Sequence, residues 1–330
     1  MKKLTWFFLT IVLCFGMMSC SESPNNTNPS LSDDHGGITH GVIDPDPIDS
    51  NFTLDYSGNE IELTYLLHNS DTANEWGLYI YVAGYQQLFS VDGGEKAYSY
   101  CSNFQPNEQR TVKLQFEPVC GKAEELLPIS FVVMLRPSMK LSNDQASNGY
   151  GAFHTITQMP WQIRIGKGVE SNIPTTAYSY KQPVDSETIS QYTVVDEDEQ
   201  SQCLLESSVY FELLDDDDSI KCHIQNKGEA LNLCLRAVGY NPLVNSDTLY
   251  RISLYVDHKI VPCFDGNSYA DILVSKGFVS QINISLPWEV TEGKSHIYII
   301  AAPLTQPDIQ EGSLVIIKTE TQTIIQKKES

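Results

Sequence analysis

One strand-like pattern occurs twice in this chain, at starting points 155 residues apart. Residues 77–89 read GLYIYVAGYQQLF, and residues 232–244 read NLCLRAVGYNPLV. Apolar side chains alternate in both copies, which is the pattern of a β-strand with one buried face. The alternating positions are Leu78, Ile80 and Val82 in the first copy and Leu233, Leu235 and Ala237 in the second. A repeated strand of this kind predicts a repeated β-rich unit.

Four more pairs of segments keep the same order along the chain, which indicates duplication of a whole domain. They are LTYLLHN (63–69) with IKCHIQN (220–226), VKLQF (112–116) with INISL (282–286), FVVMLRP (131–137) with IYIIAAP (297–303), and GAFHTITQMPWQIR (151–164) with GSLVIIKTETQTII (312–325). We predict a first domain at 50–168, a linker at 169–205 and a second domain, repeating the first, at 206–328. The second copy also holds a longer stretch around Tyr250–Val256, which we interpret as an insertion.

Strand spacing and composition indicate the fold class. Each copy holds about seven short strands, separated by turn-rich pieces such as SGNE, VDGGE and FQPNE, as in immunoglobulin-like sandwiches. The 17 tyrosines and 12 phenylalanines favour strands over helices. We therefore predict an all-β protein with two tandem immunoglobulin-like β-sandwich domains after a signal peptide and a flexible stalk.

The N-terminus predicts export and a lipid anchor. Two lysines precede the apolar run Leu4–Met18, which is too short to cross a bilayer comfortably and ends just before Cys20. We predict a lipoprotein signal peptide at 1–19, lipidation of Cys20 by acyl chains such as palmitate, and a lipidated flexible stalk at 20–49. The polar, proline-containing composition of 21–50 cannot bury enough surface to order itself. The expected location is extracytoplasmic, at the cell surface, with the membrane as a partner through the acyl anchor.

Charge excludes some classes of partner. The chain has 21 basic and 42 acidic residues, and loss of Lys2 and Lys3 with the signal peptide changes the formal charge from −21 to −23. Nucleic-acid binding requires clustered lysine and arginine, so we predict no nucleic-acid partner. A protein or a glycan remains possible as a ligand.

Two segments carry a resemblance to a known group. VDGGEKAY at 91–98 and FEPVCGKAEEL at 116–126 resemble segments of uncharacterised bacterial surface lipoproteins, mostly Gram-positive, although AEEL stands where that group has GDxL. The resemblance lies mainly in the first copy. It implies surface location and a tandem β-sandwich fold, and it supplies no catalytic residues.

The cysteines and acidic runs leave alternatives open. Cys101 and Cys120 form the simplest possible disulfide, whereas a reducing environment would leave them as small buried hydrophobes. No cysteine or histidine spacing is typical of a metal site, and we predict no cofactor. The run Asp215–Asp218 is either a solvated turn or a weak calcium-binding turn.

Three functions are compatible with the sequence. The first is a non-enzymatic binding or scaffolding protein, since no nucleophile motif is present and no catalytic residue is predicted. The second is a glycan-binding or adhesion module, in which Tyr79 and Tyr81 point away from the core and stack on sugar rings. The third is an enzyme with an unrecognised site between the domains, marked by converging acids.

Overall fold

The computed structural model describes residues 37–70, 72–195, 201–215, 221–241, 243, 247–291, 293–307 and 313–327. The predicted signal peptide, Cys20 and residues 216–218 of the acidic run lie outside the described residues. In the part of the chain described, no helix has the length and hydropathy needed to cross a membrane.

The first sandwich consists of ten strands and one 3₁₀ turn at Ala146–Asn148. The strands are β1 Ile38–Asp44, β2 Thr53–Tyr56, β3 Ile61–Asn69, β4 Asn74–Val82, β5 Tyr85–Gln86, β6 Phe89–Val91, β7 Tyr100–Phe104, β8 Gln109–Phe116, β9 Leu126–Leu135 and β10 Ile156–Ile165. An outer sheet has the order β1-β3-β8-β6, and an inner sheet has the order β2-β10-β9-β4-β5, with β7 also paired to β4. All pairings are antiparallel except that of β2 with β10.

The second sandwich begins in the predicted linker. Its elements are β11 Thr175–Tyr178, β12 Gln182–Pro183, α1 Ser186–Gln191, β13 Thr193–Val195, β14 Ser201–Cys203, β15 Val209–Leu214, β16 Cys222–Asn226, β17 Leu231–Gly239, β18 Thr248–Val256, β19 Lys259–Ile260, β20 Tyr269–Val274, β21 Phe278–Leu286, β22 Lys294–Pro303, β23 Ile317–Lys318 and β24 Gln322–Lys327, with 3₁₀ turns at Leu204–Glu206 and Trp288–Val290. The inner sheet has the order β11-β20-β18-β22-β24-β16, and the outer sheet has the order β12-β21-β17-β15. Strands β13 and β14 form a separate hairpin.

The two inner sheets pack against each other, so the protein has four layers of sheet. The central strands β4, β9, β18 and β22 are buried almost without interruption along both faces. One face of each strand enters the core of its own sandwich. The opposite faces form a third apolar cluster, which we call the seam. Its buried members are Tyr79, Tyr81, Val132, Met134, Tyr255, Tyr298, Ile300, Ala302 and Ile316.

The strand pairings show an internal repeat of the inner sheets. In each sandwich a central antiparallel pair of long strands (β4 with β9, β18 with β22) is flanked by a third strand (β10, β24) that pairs in parallel with a fourth (β2, β16). Strands β4 and β18 both end in Tyr-Val and continue through a two-residue turn, Ala83–Gly84 or Asp257–His258. All four turn residues have positive φ, between 46° and 76°. The sequence matches placed on β9 and β22 and on β10 and β24 therefore join equivalent strands, and the match of β8 with β21 joins two strands of the outer sheets.

Two of the five sequence matches are wrong. GLYIYVAGY lies on β4, in an inner sheet, whereas NLCLRAVGY lies on β17, between β15 and β21 in an outer sheet. The match of 63–69 with 220–226 likewise joins β3 to β16, which pairs with β24. Strand β18, interpreted as an insertion, is the true counterpart of β4. The error arose because alternation alone does not distinguish two neighbouring strands of similar composition.

Two predicted boundaries also differ from the structure. The stalk, predicted at 20–49, contains β1, which pairs antiparallel with β3 from Ile38 to Asp44. The linker at 169–205 contains β11 and β12, which pair with β20 and β21. Strand pairing satisfies the backbone hydrogen bonds of these polar segments, which composition alone did not indicate.

Candidate functional site

The two tyrosines predicted to bind a ligand are buried at the seam. Tyr79 is 2% exposed and Tyr81 is 3% exposed, because the inner sheet of the second sandwich covers them. Burial raises the pKa of both hydroxyls well above the usual value. Alternation did place them on the face opposite Leu78, Ile80 and Val82, as predicted, but that face is not open to a glycan. The exposed tyrosine platform is therefore wrong.

A hydrogen-bonded pair of tyrosines joins the sandwiches. The hydroxyls of Tyr81 and Tyr255 are 3.0 Å apart, and Tyr255 donates to Oε1 of Gln86 at 3.3 Å. The two tyrosines occupy equivalent positions on β4 and β18, one residue before the end of each strand. The ring of Tyr255 also stacks on that of Tyr298 at 5.0 Å between centroids. The seam is thus both apolar and specifically hydrogen-bonded.

Three histidines from both sandwiches meet at the seam. Ring centroids of His154 and His296 lie 5.0 Å apart, those of His154 and His258 5.6 Å, and those of His258 and His296 4.4 Å. His154 precedes β10, whereas the other two belong to the turn after β18 and to β22. Nδ1 of His258 is 2.8 Å from the hydroxyl of Tyr298. The sequence showed these histidines only as single residues, so nothing indicated that they would meet.

Burial keeps the three imidazoles neutral, although hydrogen bonds to backbone carbonyls raise the pKa of His154 and of His258. Nε2 of His154 donates to the carbonyl of Met139 at 3.1 Å, and its Nδ1 has no hydrogen-bond partner among the described residues. Nε2 of His258 and Nε2 of His296 are 2.9 Å apart. Burial lowers the pKa of His154 and of His296 to about 2, and it lowers that of His258 as well.

A cleft of about 840 Å³ lies between the two sandwiches. Its walls come from the turn after β4, the loop between β8 and β9, the segment after β10, strand β18 and the residue after β22. Apolar side chains alternate with polar ones along these walls, among them Leu127, Val169 and Leu304 beside Lys122, Ser171 and Asn172. This size and mixture are typical of a ligand-binding cleft.

Arg251 connects the two walls of the cleft. Its Nε and one terminal nitrogen donate to the two carboxylate oxygens of Asp271, both at 2.8 Å. Its other terminal nitrogen donates to the carbonyl of Ala83, in the first sandwich, at 2.9 Å. The guanidinium carbon lies 4.0 Å from the ring centroid of Tyr85. Burial alone would lower the pKa of Arg251, but Asp271 raises it, so the side chain is a fixed cation.

The cleft also contains the Cys120 thiol and the Glu125 carboxylate. Burial raises the pKa of the Cys120 thiol to about 11, and nearby Arg251 opposes this only in part, so the thiol is protonated at neutral pH. Glu125 accepts a hydrogen bond from the backbone N–H of Lys122 at 2.7 Å, which is a turn-capping contact. These observations describe a cleft with a partly buried ion pair and a protonated thiol.

Of the two alternatives for Cys101 and Cys120, the structure has free thiols and not a disulfide. Cys101 lies on β7 opposite Gly77, whereas Cys120 lies in the cleft wall after β8. Cys203, Cys222 and Cys263 are free as well. In the described part of the chain, no group of three or more histidine, cysteine, aspartate or glutamate residues is arranged to hold a metal ion.

No protein-family model matches this chain, and no curated protein matches it. The CARDB domain of the PF1109 protein from Pyrococcus furiosus is 10% identical, with a TM-score of 0.23, over 41% of this chain and 96% of that chain. The CupB2 chaperone of Pseudomonas aeruginosa is 8% identical, with a TM-score of 0.22, over 81% of this chain and 95% of that one. Red sea bream transglutaminase is 8% identical, with a TM-score of 0.21, over 88% of this chain but 31% of its own length. Likeness this low carries no functional argument, and the all-β sandwich fold stands on the strand pairings.

Proposed function

We propose that this protein is an exported, lipid-anchored binding protein without catalytic activity, and that the cleft between its sandwiches holds the ligand. The observation that carries the binding role is Arg251, a partly exposed cation held by Asp271 and Ala83 in a cleft of about 840 Å³. Such a preformed cleft binds a ligand without first ordering its own walls.

The chemistry of the walls supports binding over catalysis. A protonated thiol is a weak nucleophile. The mixture of apolar, amide and hydroxyl groups suits a peptide or a glycan segment from outside the cell. The predicted signal peptide, Cys20 and the resemblance to surface lipoproteins support the location.

The binding role is tested with a variant that fills the cleft. Ser171 is an exposed residue of the cleft wall, so Ser171→Trp should occupy the cleft without disturbing either core. The probes are cell-wall polysaccharide and a peptide library, each presented to the soluble chain with Cys20→Ser. We expect retention on one of the two probes, lost in Ser171→Trp and kept in Ser207→Trp, an exposed residue outside the cleft. Equal retention of both variants would reject the cleft as the binding site.

The anchor is tested separately. We expect Cys20→Ala to abolish incorporation of labelled palmitate and to move the protein out of the membrane fraction. Membrane retention of Cys20→Ala at the wild-type level would reject the lipid anchor but leave the cleft untouched.

A further inference from the structure

We propose that the histidine cluster His154, His258 and His296 makes the seam sensitive to protons, so that mild acid separates the two sandwiches before either one unfolds. The cluster contains residues of both sandwiches, in ring contact with one another across the seam. Apart from Tyr269, which packs with the core of the first sandwich, each core consists of residues of its own sandwich. Loss of the seam therefore leaves the rest of both cores in place.

Placing three positive charges on these buried imidazoles is energetically unfavourable. His154 and His296 are 0% and 1% exposed, and adding a proton to Nδ1 of His154 creates a buried donor with no acceptor beside it in the described residues. Two cations already face the cluster: Lys318 on β23, which lies 4.7 Å from the ring of Tyr298, and Lys140, which pairs with Asp257 at 3.1 Å. Repulsion from these cations adds to the cost of burying charge.

Groups of opposite sign also face the cluster. Asp257 lies with Oδ1 3.0 Å from Nδ1 of His296, and Glu75 on β4 attracts a charge on His258. The remaining titratable neighbours are Tyr79, Tyr150 and Tyr298, which are neutral because burial raises the pKa of each. Burial is the largest influence on all three histidines and outweighs the two carboxylates.

The direction of the pH effect follows from these shifts. The closed seam lowers the pKa of the histidines below the value of about 6.5 expected in water, so the open form binds more protons. Closure is therefore fully favoured above about pH 6.5 and is lost as the pH falls. Below that pH, each histidine increases the equilibrium constant for separation of the two sandwiches up to tenfold for each pH unit of acidification. The three histidines together increase it up to about a thousandfold per pH unit. Burial lowers the pKa of Lys318 to about 7, so in the closed form this residue is about half charged at pH 7 and mostly charged below about pH 6.5. Below that pH it adds repulsion and little to the steepness.

The experiment follows the size and the strand content of the soluble chain from pH 7.5 to pH 4. We expect the radius of gyration from small-angle X-ray scattering to rise in one steep step, while the far-ultraviolet circular dichroism of the strands is unchanged. His154→Phe keeps a ring at the seam but cannot take up a proton, so its step should be less steep by one proton and should move to lower pH.

A matched control is His68→Phe, because His68 lies on β3 in the outer sheet and is not part of the seam. Its step should coincide with that of the natural chain. NMR titration of the imidazoles of the natural chain provides a second test that needs no variant. We expect His154, His258 and His296 to take up protons together at the opening step and not before it.

Two results would overturn the proposal. One is a radius that stays constant until the circular dichroism itself is lost, which would mean that the seam and the sandwiches fail together. The other is titration of any of the three imidazoles near pH 6.5 in the closed form, a value expected only for a histidine in contact with water.

Discussion

Tyr79 and Tyr81 show how two residues with the same burial contribute differently. Both point into the seam from β4, two residues apart. The hydroxyl of Tyr81 is bonded to that of Tyr255, whereas the hydroxyl of Tyr79 has no hydrogen-bond partner among the described residues, only the weakly polar thiol of Cys101 nearby. Their rings fill similar space, but only one of them supplies a specific bond.

This difference predicts unequal effects of removing each hydroxyl. Tyr81→Phe should lower the free energy of unfolding by about 1 kcal/mol, the usual net contribution of a hydrogen bond. Tyr79→Phe should change it by less than about 0.5 kcal/mol, since it removes a buried hydroxyl that gains little from its surroundings. Urea denaturation at pH 7.5 measures both values. Equal losses for the two variants would contradict the hydrogen-bond assignment at the seam.

Arg251 provides a second contrast, between a partly buried and an exposed arginine. Arg251→Lys keeps the charge but cannot reach both Asp271 and Ala83 with the same geometry, so we expect a loss of about 2 kcal/mol of unfolding free energy. Arg164→Lys is the matched control, because Arg164 is 46% exposed and its nitrogen is 3.5 Å from Asp55. The control should stay within about 0.5 kcal/mol of the natural chain. Similar losses of unfolding free energy at both sites would show that the hydrogen bonds from Arg251 to Asp271 and Ala83 contribute no stability.

At the scale of elements, β1 is a strand in a segment whose polar composition predicted a flexible stalk. It pairs with β3 over Ile38–Asp44, and it extends the outer sheet by one strand. A chain that begins at residue 46 should therefore unfold with on the order of 3 kcal/mol less free energy than one that begins at residue 37, through the loss of ladder hydrogen bonds. Thermal melting and urea denaturation of the two chains check this. Identical stabilities would mean that the β1–β3 ladder contributes no stability.

The sequence predicted which face of a strand enters the core better than it predicted what covers the opposite face. Alternation placed Leu78, Ile80 and Val82 in the first core, and Leu233, Leu235 and Ala237 in the second, as the structure confirms. It could not show that the second face of β4 is covered, because the covering strand β18 is distant in the chain. The shared Tyr-Val ending and two-residue turn of β4 and β18 were the available signal, which the neighbouring match with β17 obscured.

The candidate site was beyond sequence reasoning for the same physical reason. Arg251 and Ala83 meet only because two inner sheets pack face to face, and His154 reaches His296 by the same packing. Local spacing carries information about strands and turns, whereas the seam depends on which faces of distant strands come together. A single arginine or histidine in a strand therefore gave no sign of its partners.

At the scale of the whole molecule, the two sandwiches share more than a surface. Tyr269 belongs to β20 of the second sandwich, yet it packs with the apolar core of the first, 4.8 Å from the ring of Tyr85. We expect one cooperative thermal transition at pH 7.5, with equal calorimetric and van't Hoff enthalpies, because unfolding of one sandwich exposes the seam face of the other. Differential scanning calorimetry gives this ratio. Two resolved transitions at neutral pH would show that the sandwiches are energetically independent.

The hydrogen bond from Arg251 to Ala83 has one further consequence. The opposite walls of the cleft belong to different sandwiches, so a ligand that contacts both walls stabilises the closed arrangement of the two sandwiches. By thermodynamic linkage, conditions that stabilise the closed form must also increase the affinity for the ligand. A bound ligand must in turn lower the pH at which the two sandwiches separate. Ligand binding in the cleft and closure of the seam are then thermodynamically coupled.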